Sequence, residues 1–158
     1  MAPETLAAAL EASALGQWMR SGGAYPAANL LHLLGLSLLV GPILLLDLRL
    51  LGLGRGFALP EVSRVLTPFA VAGLALLLLS GMGLLAADAR SLLAHPLMRL
   101  KLLLVAFGVA NALLFRALWR TRLHDWDRRP PRWGRLQALA SVLGWIGAAA
   151  AGRLIAYV

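Results

Sequence analysis

From Asn29 to Leu53 the chain reads NLLHLLGLSLLVGPILLLDLRLLGL, an apolar run long enough to cross a bilayer, and three more such runs follow it. A span takes roughly 20 mostly apolar residues, and it must be helical because hydrocarbon offers backbone N–H and C=O groups no outside partner. The four are expected near Ala27–Leu46, Val65–Ala87, Leu97–Trp119 and Gly134–Tyr157. Between them come GLGRGFALPEVSR, DARSLLAHP and RTRLHDWDRRPPR, which mix charge with Gly or Pro as connections do. The reading is all-α: an integral membrane four-helix bundle, one membrane domain over residues 1–158 with no soluble module. Composition agrees, since 60% hydrophobic residues exceed what a water-soluble core needs and 14% charged residues fall short of the usual soluble share.

Upstream, Glu4–Arg20 is too polar to span, but Leu6, Leu10, Ala14 and Trp18 recur at helical spacing. With Thr5 as a cap and Trp18 at a headgroup boundary, one N-terminal interfacial amphipathic helix is expected over about residues 4–20, as an anchor or as a lid. Glu4 and Glu11 without a basic leader do not read as a cleaved signal peptide. The absence of cysteine excludes disulfides, thiolate metal sites and cysteine nucleophiles. No phosphate-binding Gly-rich loop, HExxH or serine–histidine–acid set occurs, so independent catalysis is not expected.

Lys and Arg counts orient the spans. The first and third connections carry Arg49, Arg55, Arg64, Arg116, Arg120, Arg122, Arg128, Arg129, Arg132 and Arg135; the other side carries Arg20, Arg90, Arg99, Lys101 and Arg153. Ten against five puts both ends outside, which in a bacterial inner membrane is the periplasm. The net charge of +8 is then a topology signal that suits anionic lipid headgroups, and nucleic acid is not an expected partner.

Polar residues inside the spans are the carriers of chemistry. His32 lies within the first run, where an ionisable side chain is costly and needs a partner. Tyr25, Asn29, His32 and Gly35 follow at intervals of four, three and three and are expected on one inward face, with a kink further down at Gly41-Pro42. His95, Arg99, Lys101, Asp88 and Arg153 fall at the same depth, bordered by Met82 and Met98. Haem b is one ligand for such a layer, with His32 on iron and Lys101 and Arg153 toward the propionates; Tyr25 and Asn29 would border it. Copper is another, on His32, His95, Met82 and Met98. At the inner ends, Asp47 and Arg49 look structural, and Asn111 is placed to bond across helices. Ser141, Gly144, Ala148, Ala151 and Gly152 form a small-residue stripe for helix packing or for a protomer interface.

HLLG at His32, DLRLLG from Asp47, HPLMRLK from His95 to Lys101 and GRLIAY from Gly152 resemble, in order and spacing, an uncharacterised family of small bacterial four-span inner-membrane proteins. That family is distantly similar to the membrane domain of copper-resistance protein D. The resemblance covers nearly the whole chain and implies the four-span fold, with His32, Asp47, Arg49, Lys101 and Arg153 as its polar positions. Arg116 departs from it, standing where the third span often ends in histidine. Three functions are expected in turn: a haem- or copper-binding membrane protein, an accessory subunit of a homo-oligomer or larger membrane complex, and a small copper-handling permease.

Overall fold

The structure is a computed structural model that describes residues 3–155 and 157. Among them all regular structure is helical: α1 Pro3–Ala12, α2 Ala14–Arg20, α3 Ala24–Leu51, α4 Leu59–Ala87, α5 Ala89–Ala94, α6 Pro96–Trp119, a 3-10 turn Arg120–Asp125, and α7 Arg132–Leu154. Three stretches could cross a membrane by length and composition: α3, α4, and α6 with the following 3-10 turn. α7, 23 residues long, is not among them, because Arg132, Arg135 and Gln137 open it and Ala and Gly fill its second half. The fourth expected span also reached Tyr157; α7 stops at Leu154, and Ala156 lies outside the described residues.

Close approach builds the α3–α4 pair. Gly73 lies against the α3 backbone, where a Cβ would come within 2.8 Å of the Gly35 carbonyl oxygen, and a Cβ on Gly35 would lie 3.0 Å from the Leu77 nitrogen. Both helices run on through internal prolines, Pro42 and Pro68. α3 ends on Gly52, whose φ of 112° needs a residue without Cβ, and the N–H groups of Gly52 and Leu53 return to Arg49 and Leu48.

The long helices stand in the order α4, α3, α7, α6. α3 packs on α4 and α7, and α7 packs on α6, but no Cα–Cα distance within 8 Å joins α4 to α6. A cleft therefore separates the outer pair. Large apolar side chains such as Leu30, Leu33, Leu45, Leu79, Leu103 and Leu113 face outward, as they would toward lipid.

The N-terminal segment corrects the expectation of one amphipathic helix. Ser13 breaks it, acting as N-cap of α2 by accepting from the Gly16 N–H at 3.2 Å, while Thr5 lies inside α1. Leu6 and Trp18 are exposed, and the buried face is instead Ala7, Gly16 and Met19. α1 and α2 dock on protein: Met19 sits on Gly83, Arg20 donates to the Ala87 carbonyl at 3.1 Å, and the Glu11 carboxylate accepts from the Arg90 N–H at 2.7 Å.

Candidate functional site

His32 from α3, Ser80 from α4 and Lys101 from α6 meet at one end of the molecule. The Ser80 hydroxyl donates to the Leu76 carbonyl at 2.6 Å, which uses its single proton. It can then only accept from His32 Nδ1 at 3.0 Å, so the network assigns the imidazole proton to Nδ1. Nε2 is left as acceptor, and Lys101 Nζ lies 3.5 Å from it. Hydrogen bonds thus run in one direction from α6 through α3 to α4.

Two glycines make the room. A Cβ on Gly81 would stand 3.2 Å from His32 Cε1, and one on Gly152 would stand 3.3 Å from Lys101 Cε and Nζ. α7 therefore forms the fourth wall of the cluster. No carboxylate lies within ion-pair distance of Lys101 among the described residues, so its half-buried ammonium meets a neutral imidazole instead of a counter-ion.

The remaining expected site residues go elsewhere. Tyr25 and Asn29 are exposed, against the expectation of one inward face. At about 100° per residue, Asn29 stands roughly 120° around the helix from Gly35, which faces α4. Arg153 lays its guanidinium over the Tyr157 ring at 4.8 Å and donates to the Tyr157 hydroxyl. His95 Nδ1 accepts from the Leu97 N–H at 3.2 Å and so caps α6. Met82 is 56% exposed, Met98 is half-buried, and Arg99 donates to the Leu93 carbonyl. Among the described residues no three His, Asp or Glu side chains gather as a metal site.

At the opposite end the chain is clamped. Arg49 is 4% exposed; its Nη1 and Nη2 donate to the two carboxylate oxygens of Asp127 at 2.9 and 2.5 Å, and its Nε donates to the Phe57 carbonyl at 2.9 Å. Asp127 is held below the usual carboxylate range by those Arg49 hydrogen bonds. Beside it, buried Trp126 donates to the Leu50 carbonyl at 3.0 Å and packs on Phe115 and Trp119. Asp47 is buried next to the Ser141 hydroxyl of α7. Asn111 donates to the Gln137 carbonyl at 3.0 Å, the cross-helix bond expected of it. The small-residue stripe is used inside the chain: Ser141, Gly144, Ala148 and Ala151 are buried, with Phe107 on Gly144.

Sequence reasoning missed Ser80 and Asp127. Ser80 carried a readable signal, a hydroxyl followed by glycine within LLLLSGMGLL. Asp127 carried none, because nothing in a loop of mixed charge singles out one carboxylate. Compared with protein-family models, with curated proteins and with solved structures, the chain matches none.

Proposed function

We propose that the chain is a bacterial inner-membrane binding protein without catalytic activity of its own, in which α3, α4, α6 and α7 all span and both termini are periplasmic. Its ligand offers an acidic group to Lys101 and is held against His32. The observation that carries this reading is the Lys101–His32 pair, a half-buried ammonium 3.5 Å from a neutral nitrogen with no carboxylate of the described residues beside it. A cation among apolar helices lacks water to stabilise it, and an anionic group supplies the missing partner.

Haem b is the redox version of such a ligand. Lys101 would pair with a propionate and His32 would offer Nε2 to the iron, which would supply one-electron chemistry. Copper fits the pair less well, because a bare cation is repelled by the same ammonium and exposed Met82 faces away from burial. Protein purified from its native membrane tests the reading through its absorption spectrum, metal content and bound acidic lipids by mass spectrometry. A Soret band, or one acidic amphiphile per chain, lost in Lys101→Met, is the expected result. A preparation holding neither would overturn it.

A further inference from the structure

A second site lies at the other end of the molecule. Between α4 and α6, which have no close backbone approach, lies an open cavity of about 600 Å³, within the size range of small-molecule sites and facing lipid if both helices span. Its walls are mostly apolar, with Leu39, Leu46, Val71, Leu74 and Phe115 among them. Packed helices normally close such a gap, so its interior has something to hold or is filled by lipid.

Two polar side chains in the wall decide between those. Asp47 from α3 and Trp145 from α7 both line the cavity and are 7% and 2% exposed. Asp47 Oδ2 and Trp145 Nε1 have no hydrogen-bond partner among the described residues. Buried polar atoms are nearly always paired, and one left unpaired costs about 1–3 kcal/mol. Here the two side chains that carry such atoms line one cavity. Asp47 lies beside Ser141, and Ser141 and Trp145 are four residues apart on one face of α7, which sets the Asp47 and Trp145 side chains about one turn apart along that helix.

The indole N–H can only donate, whereas the carboxyl oxygen accepts. A hydroxyl satisfies both. Charge narrows the class further: Arg64, Arg116 and Arg120 also line the cavity and repel a cationic ligand, while the Asp47 carboxyl disfavours an anion deep inside. We infer that the cleft between α4 and α6 binds an uncharged, lipid-soluble molecule whose hydroxyl group bridges Asp47 and Trp145. The site is separate from the His32 cluster and stands whether or not that cluster holds a ligand.

A matched pair of probes tests it on the full chain in nanodiscs. 4-Nonylphenol carries the hydroxyl; 4-nonylanisole has nearly the same shape and can only accept. Retention of each on protein-containing discs, relative to empty discs, is quantified by mass spectrometry. Saturable retention of one nonylphenol per chain, with nonylanisole at least about tenfold weaker, is the expected result, since a site built for a hydroxyl rejects the analogue lacking its proton. Asp47→Leu should weaken nonylphenol about tenfold and leave nonylanisole unchanged, whereas Trp145→Phe, which removes a donor that either oxygen can use, should weaken nonylphenol about tenfold. Equal retention of the two probes on the unmodified chain, nonylphenol at the level of empty discs, or full retention in both variants would each overturn the proposal. The probe comparison needs no variant to fold.

Discussion

Arg49 ties three segments together with one planar group: α3, the α3–α4 turn through Phe57, and the α6–α7 connection through Asp127. The forked geometry matters as much as the charge, because lysine offers no pair of parallel donors to a carboxylate. Arg49→Lys should therefore lower stability by about 1.5–3 kcal/mol, read as a drop in thermal midpoint in detergent. The same bond is sensitive to acid. Asp127 ordinarily titrates near 3.8, and its hydrogen bonds with Arg49 lower that value in the folded chain. Below the ordinary value the unfolded chain takes up the proton first, so the stabilisation is complete above it and fades as pH falls through the lowered value. At 43% exposure the carboxylate is well screened, which keeps the effect modest. The midpoint difference between the unmodified chain and Asp127→Asn should shrink between about pH 5 and about pH 3. A constant difference across that range would mean the pair does not contribute through its charge.

Helices are held apart or together by what stands at one crossing. Where α3 passes α4, Gly73 presses on the backbone of Leu38 and Leu39, which cannot yield as a flexible side chain would. Gly73→Ala should cost about 1–3 kcal/mol of stability by overpacking. Gly23, at negative φ and with nothing near its missing Cβ, supplies the control: Gly23→Ala should shift stability by no more than about 0.5 kcal/mol. If the two substitutions shift the thermal midpoint equally, the crossing is looser than these contacts imply. The same contrast explains what could be read from sequence. Long apolar runs declared α3, α4 and α6, and α6 almost to its ends, but α3 runs five residues past the expected Leu46 and α4 starts six before the expected Val65, because a helix continues into polar sequence where hydrophobic length no longer marks it. The break at Ser13 was hidden, since one serine can cap a new helix or ride inside an old one, and only its bond to Gly16 tells which. Of the candidate site, His32 and Lys101 were legible as costly groups at one depth, whereas Asn29 was misplaced because two steps of three residues turn it about 120° from Gly35, and Tyr25, close to His32 in angle, stands about two turns nearer the start of α3, where it is exposed.

For the whole molecule, the order α4, α3, α7, α6 is what no run of residues announces. Spacing along the chain tells which helices are neighbours in sequence, but the cleft exists because α4 and α6 stay apart in space, and Asp47 and Trp145 acquire a shared cavity only then. The fold also makes the charge asymmetry directional. The start of α3, the end of α4, the start of α6 and the end of α7 share the His32 end, which carries five basic residues against ten on the Arg49 side. If all four helices span, the positive-inside bias puts the Arg49 end in the cytoplasm. The cysteine-free chain makes this simple to check with single substitutions and a membrane-impermeant maleimide. Gly56 in the α3–α4 turn has open space where a side chain would go, and Ser91 on α5 is exposed at the opposite end. Ser91→Cys should react in intact spheroplasts, and Gly56→Cys only after the membrane is opened. The reverse pattern would invert the orientation. Equal reaction of both before opening would remove the membrane between them, and with it the reason to expect a lipid-soluble ligand in the cleft.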